Sequence, residues 1–266
     1  MKVFISSDLE GVTGVTRWEE TRFGGQGYEE ACARMTRETA AACEAAQSMG
    51  ASVIVKDGHE DAVNIDIDGL PRGVELIRGW RSSPAAMMGG LDETFDAALY
   101  IGYHSPAGSD TNPLAHTTEY EWFHKIILNG RLASEFSLNA LWAAAYHVPS
   151  VFLSGDQGMC DLAKESAGEI VTVPTKTCVG GSTWNRHPDD VLDEIYKGVK
   201  ESLSKKQESI PLEEQYRMEI EFRSHQSARA ASWYPGAVQK DANTVIYTAK
   251  DPIELITAKM FMTEII

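Results

Sequence analysis

Short apolar runs alternate with longer helical patterns over the first 175 residues of the chain. Val3-Phe4-Ile5 is uniformly apolar and gives way to a polar, glycine-containing stretch over 6–27. Residues 28–49 are rich in Ala, Glu, Arg and Met and are closed by Gly50, a composition that favours a helix with a defined stop. Val53-Ile54-Val55 reads as a second strand, residues 71–80 as a short helix, and Ala97-Ala98-Leu99-Tyr100-Ile101 as a third strand. Lys125-Ile126-Ile127-Leu128 runs into Asn129-Gly130, the dipeptide favoured in tight hairpins. A helix dense in Ala and Leu follows from about Ser134 to Tyr146. Ser150-Val151-Phe152-Leu153, a short helix around 158–167 and Ile170-Val171-Thr172-Val173 continue the alternation. The pattern predicts an α/β fold whose sheet is mostly parallel and flanked by helices.

The last third has a different texture. A helix over about 189–206 ends in Lys-rich turns, and Ile210-Pro211 breaks it. Tyr216, Met218, Ile220 and Phe222 then alternate with polar residues at the period of a half-buried strand. Thr244-Val245-Ile246-Tyr247 reads as a further strand, and Asp251-Pro252 opens a final helix. These segments predict a larger α/β domain over 1–180 and a smaller C-terminal α+β lobe over 181–266 that suits an oligomer contact, with a boundary free to move by about ten residues. The same strands also fit an extension of one sheet.

Composition narrows the partners. Against 24 Lys and Arg stand 39 Asp and Glu, a net charge of −15. That charge repels phosphate backbones and anionic lipid, which argues against nucleic acid or a membrane surface as partner. No run approaches the roughly 18 apolar residues that a membrane span needs. The start of the chain turns polar too early for a signal peptide. Cys32 and Cys43 share the first helix, where a rise of about 16 Å separates them, too far for a disulfide. With no C-x-x-C pair, the four cysteines point to a reduced, cytoplasmic protein with inert buried thiols.

The chemistry collects after the strands. Ser6-Ser7-Asp8-Leu9-Glu10-Gly11 follows the first, Lys56-Asp57-Gly58-His59 with Asn64 the second, Gly102-Tyr103-His104-Ser105 the third and Gly155-Asp156-Gln157-Gly158 the fourth. In a parallel sheet these positions share one carboxyl edge, where α/β proteins bind ligands. Asp8 and Glu10, two apart on an extended chain, point the same way, and Asp57 and His59 repeat that spacing. Carboxylates with imidazoles and no thiolate suit zinc or manganese. On residue type alone, Asp57 is as good a ligand as Glu135. Singly, each of these groups also fits an N-terminal helix charge or a hydrogen-bonded core histidine.

Together the motifs resemble those of the zinc-dependent D-aminopeptidases. The matching signatures are Ser6-x-Asp8-x-Glu10-Gly11, Asp57-x-His59 with Asn64, Gly102-Tyr103-His104-Ser105-x-Ala107-Gly108 and Ala115-His116-Thr117. Asn129-Gly130 with Glu135, and Gly155-Asp156 with Glu165, match as well. The resemblance runs along the chain in order, with little carried after residue 190. It implies two zinc ions per subunit held by Asp8, Glu10, His59, His104 and Glu135, with Asp8 bridging. Asp57 then becomes a partner that orients His59 or a nearby loop. It implies that His116 is the catalytic histidine, acting as base, nucleophile or oxyanion stabiliser. It further implies a cytoplasmic aminopeptidase that hydrolyses short peptides with N-terminal D-residues, such as D-Ala-D-Ala, through a metal-activated water, and a ring-like homo-oligomer, a decamer by the family pattern.

The residues also fit other functions: a metal hydrolase on the same scaffold acting on L-peptides or other amides, or a non-catalytic module binding metal or peptide. Phosphoesters are disfavoured because the strand ends carry no Lys or Arg cluster. The remaining histidines receive structural or solvated roles, His124 and His147 the former, His187 and His225 the latter. Gly24-Gly25-Gln26-Gly27 lacks the preceding strand and following Lys-Ser/Thr of a phosphate loop and reads as a flexible loop near the site.

Overall fold

A computed structural model describes residues 1–206 and 208–264. The first half of the chain forms β1 (Lys2–Ser7), α1 (Tyr28–Ser48), β2 (Ser52–Asp57), β3 (Glu75–Ile77), β4 (Ala97–Tyr103), β5 (Phe123–Leu128) and β6 (Arg131–Leu132). There follow α2 (Glu135–Ala145), β7 (Ser150–Asp156), α3 (Gln157–Ala167), β8 (Val171–Val179), β9 (Ser182–Asn185) and α4 (Pro188–Ser204). The chain ends with β10 (Tyr216–Phe222), α5 (His225–Ala231), β11 (Val238–Gln239), β12 (Thr244–Ala249) and α6 (Pro252–Glu264). No helix among the described residues is long and apolar enough to cross a membrane.

The apolar runs form the centre of a seven-stranded sheet ordered β3-β2-β1-β4-β7-β8-β9. All neighbours are parallel except the β8–β9 hairpin. β1 and β4 are buried along almost their whole length, as strands covered on both faces must be. One face packs under α1 and α4. The small Ala42, Cys43 and Ala46 of α1 and the Val191, Ile195 and Val199 stripe of α4 enter a core with Val3, Ile5 and Leu99. The opposite face packs Phe4, Tyr100 and Leu153 against α2, α3 and a second sheet.

The second sheet is antiparallel, ordered β11-β12-β10-β5-β6. Its register pairs Ile220 with Ile126 and with Val245. The alternation of Tyr216, Met218, Ile220 and Phe222 is borne out, all four buried with half-exposed or exposed residues between them. The Asn129-Gly130 hairpin forms between β5 and β6, with both residues at positive φ. The chain thus enters the second sheet at this hairpin, returns to the first through β7, β8, β9 and α4, and leaves again at β10.

Two expectations are corrected. Residues 71–80 do not form a helix. Pro71 lacks an amide hydrogen and Gly73 and Gly79 take positive φ, so the segment bends, and Glu75–Ile77 instead pairs parallel to Ile54–Lys56 as an edge strand. The thiols are all free, but only Cys43 and Cys160 are buried, while Cys32 and Cys178 are half-buried.

Candidate metal centre

Strand order creates the site. From β1 the chain runs outward one way through β2 and β3, and from β4 the other way through β7 and β8, so a crevice opens at the carboxyl ends of β1 and β4. Asp8 and Glu10 leave β1 there, His104 leaves β4, and His59 follows β2. The two carboxylates are not on extended chain as the strand period suggested. β1 stops at Ser7 and a turn carries them, closed by Val12 N donating to Leu9 O at 3.0 Å. Gly11 makes that turn possible. A Cβ there would sit 1.9 Å from the carbonyl oxygen of Tyr103, so only glycine lets the turn lie against β4.

The second half of the site comes from the connection between β4 and β7. Ser134 caps α2 by accepting from Ser137 N, which sets Glu135 in the first turn of that helix, a favourable place for an anion. Thr118 N donates to Glu135 Oε1 at 2.6 Å. His116 lies two residues earlier in the same loop, its ring stacked on that of His104 at 4.2 Å and meeting the edge of Trp18.

All six residues singled out from the sequence converge. His59 Nδ1 lies 3.4 Å from Asp8 Oδ1 and 3.1 Å from Glu10 Oε2. His104 Nε2 lies 3.4 Å from Asp8 Oδ2 and 3.6 Å from Glu135 Oε1, and His116 Nε2 is 3.7 Å from the same Glu135 oxygen. Each oxygen of Asp8 therefore faces a different histidine. Atoms bound about 2.0–2.1 Å from a tetrahedral ion are themselves about 3.3 Å apart, which is the spacing seen here.

The remaining imidazole nitrogens are anchored. His59 Nε2 donates to Thr21 O at 2.6 Å, His104 Nδ1 to Ser105 O at 3.0 Å, and His116 Nδ1 to Leu114 O at 2.9 Å. These bonds orient each ring and leave its other nitrogen facing inward, the one that a metal would take once it is deprotonated. Asp8 Oδ2, Glu10 Oε2 and His104 Nε2 are buried without a hydrogen-bond partner among the described residues. Buried polar atoms without partners are costly, and a cation is the group that satisfies all three. Two overlapping sets, Asp8 with Glu10 and His104, and His104 with His116 and Glu135, each keep their ligand atoms within 4.8 Å of one another. The donor set fits a metal centre.

Burial and mutual charge pull the acidities apart. Burial, then the neighbouring Glu10 charge, pushes Asp8 up to about 7. Burial opposes ionisation of Glu10, but the His59 cation holds it well below its usual range. Glu135 overcomes the same burial through His104 and falls to about 2. Burial would lower His104, yet Glu135 and Asp8 raise it to about 10, and His59 is raised well above its ordinary value in the same way by Glu10 and Asp8. His116 goes the other way. Burial and the His104 charge lower it, so it stays neutral near pH 7.

Asp57 takes the supporting role. Its Oδ2 accepts from Asn64 N at 2.6 Å and Ile65 N at 2.7 Å, and its Oδ1 from Asn64 Nδ2 at 2.9 Å. Asn64 Nδ2 also donates to His59 O, so Asp57 holds the loop that carries His59. Asp156 works alike on the other side, accepting from Ser105 N and Asn112 Nδ2 and capping α3 through Met159 N. Glu165, His124, His147, His187 and His225 are exposed and line no part of the cavity that holds the cluster. That cavity has a volume of about 700 Å³ and is walled by Trp18, Trp80, Tyr120, Asn139 and Lys259, among others. No sequence signal marked Thr21, Thr118 or Asn139. Two of them act through backbone atoms, and Asn139 reads only as one turn of an apolar helix.

A family model described as peptidase M55, D-aminopeptidase, matches residues 1–261. The chain belongs to the D-aminopeptidase family. A D-aminopeptidase of Bacillus subtilis strain 168 is 30% identical over 270 residues, spanning 100% of this chain and 97% of that protein. The solved structure of the Zn-dependent D-aminopeptidase DppA from Bacillus subtilis, described as a self-compartmentalizing protease, superposes with a TM-score of 0.93 at 28% identity, covering 100% of this chain and 97% of that one. As a family member this chain is an enzyme, a hydrolase of peptide bonds, and its mixed α/β architecture is that of the family.

Proposed function

We propose that this D-aminopeptidase family member is a two-zinc aminopeptidase that removes the N-terminal residue of short peptides beginning with a D-amino acid, D-Ala-D-Ala among them. The observation that carries the reading is Asp8, whose two oxygens face His59 and His104 separately and so offer one carboxylate to two ions. Glu10 and His59 would complete one ion's ligands, and His104 and Glu135 the other's. Two such ions, when bound, polarise the scissile carbonyl and acidify a water toward neutral pH. Neutral His116, its Nε2 turned toward Glu135 and the cavity, is placed to take or give the proton that peptide cleavage moves. Glu135, held by Thr118 and the start of α2, keeps an anionic wall opposite that proton carrier.

Hydrolysis of D-Ala-D-Ala and L-Ala-L-Ala by the zinc-loaded protein, run side by side, tests the chirality. Faster release of alanine from the D form is expected. Cleavage of the L form alone would leave a metal aminopeptidase and remove the D preference. The ionisation pattern makes a second prediction. His59 and His104 hold protons at pH 7, and ligation requires their neutral forms, so zinc binding releases protons and tightens as pH rises toward about 10. Titration calorimetry in buffers of different ionisation enthalpy should show more than one proton released per chain. A heat independent of buffer would mean that the histidines are already neutral.

The assembly reading rests on surface and resemblance. Val179 and Trp184 on the β8–β9 hairpin and Trp233 after α5 are large apolar side chains left at least 74% exposed. They suit burial in a closed homo-oligomer of ten copies that encloses the sites, in keeping with the self-compartmentalizing description of DppA. Four free thiols suit the cytoplasm.

A further inference from the structure

Behind the metal-facing turn, a lysine is buried where the sheet would ordinarily place an apolar side chain. Lys176 of β8 is 1% exposed. Its Nζ donates to Glu10 O at 2.7 Å, Val12 O at 3.1 Å and Val15 O at 2.5 Å. An ammonium has three hydrogens and these carbonyls use all of them. Among the described residues no carboxylate oxygen lies within ion-pair distance of it. The preceding residue extends the grip, since Thr175 Oγ1 donates to Gly11 O at 2.6 Å. From α1, Glu38 Oε1 accepts Thr13 N at 3.0 Å. On its other side the turn is tied to β4, where Asp8 N donates to Ile101 O and Gly11 N to Gly102 O, each at 2.8 Å.

We propose that Lys176 is a positioning residue for the metal centre: its ammonium gathers the carbonyls of the 10–15 turn and thereby holds the Glu10 carboxylate, together with Asp8, in ligand geometry before any ion arrives. The inference rests on the reading of Glu10 as a zinc ligand. Glu10 and the turn leave β1 with their carbonyls directed into the protein, where water does not reach them. Desolvated carbonyls demand donors. Apart from Lys176, the donor to Glu10 O among the described residues is Asn112 Nδ2, at 3.4 Å. A neutral side chain at 176 would deprive the Glu10, Val12 and Val15 carbonyls of this donor, and the turn, although still tied to β4, Glu38 and Thr175, would shift to bring them toward solvent, with the Glu10 side chain following.

Zinc affinity, measured by chelator competition rather than turnover, reads this directly. Lys176→Met keeps the apolar stem and removes the donor, and is expected to weaken zinc binding about tenfold or more, the size typical of lost support around a ligand. Lys176→Ala should behave likewise and recover affinity on addition of n-propylammonium, the missing atoms, but not of n-propanol, which a purely space-filling role would not distinguish. Hydrogen exchange on the unmodified protein needs no variant to fold. The amides of Gly11 and Thr13 should be protected with zinc chelated away. Unchanged zinc affinity in a folded Lys176→Met protein, or fast exchange of those amides until zinc is added, would overturn the proposal. Failure of the unmodified protein to bind zinc would instead remove the metal centre itself, and this role with it.

Discussion

Replacing His116 with alanine is expected to slow peptide hydrolysis by about 10²–10⁴-fold, the usual worth of a positioned proton carrier, while the two zinc ions proposed for the site are retained. Geometry and charge both lead there. His116 Nδ1 is committed to Leu114 O, and Nε2 stands 3.7 Å from Glu135 at the cavity wall. Burial and the stacked His104 keep the ring neutral, which a base needs at the start of a cycle. The five proposed ligands follow β1, β2 and β4 or open α2, and none depends on His116 for its hydrogen bonds. Zinc per chain and turnover measured on one sample separate the possibilities. A drop to one zinc would make His116 a ligand alongside His104 and Glu135, with which it is close enough to share an ion. Full rate with both ions would leave it no part in the chemistry.

The sequence was legible where one physical signal dominated. Val3-Phe4-Ile5 and Ala97–Ile101 are apolar on both faces and form the buried centre of the parallel sheet. From that, the carboxyl-edge location of Asp8, His59 and His104 follows by topology alone. Glu135 needed the family motif, because an acid at the start of a helix is ordinary without the capped geometry that aims it. The short segment around Glu75–Ile77 misled because its side chains suit either period. Only pairing with β2 makes it a strand. Lys176 was invisible for a related reason. In Thr175-Lys176-Thr177 it reads as a solvent-facing strand position, and only the incoming 10–15 turn makes that place interior. Residues that act through another segment's backbone leave no pattern of their own.

Asp8→Asn is the substitution with opposite consequences for function and stability. Asp8 sits between His59 and His104, one oxygen toward each, and the amide would offer one acceptor and one donor in place of two anionic oxygens. Zinc binding should fall from two ions to one or none, and hydrolysis by at least about 10³-fold, since the lost ion carries several kcal/mol of transition-state stabilisation. Without zinc the variant should be the more stable protein. Burial and the Glu10 charge raise the Asp8 carboxyl from 3.8 to about 7. A carboxyl raised on folding costs nothing below its unfolded value, and its penalty is complete above the folded one. Melting with chelator present should therefore show the Asp8→Asn protein ahead by about 2–4 kcal/mol at pH 8, with the advantage fading toward pH 4. Equal stability across that range would mean that the carboxylates do not strain one another. Of the three acids at this sheet edge only Asp8 is raised, while the histidines lower Glu10 and Glu135, so the penalty that a bound cation would relieve falls on Asp8.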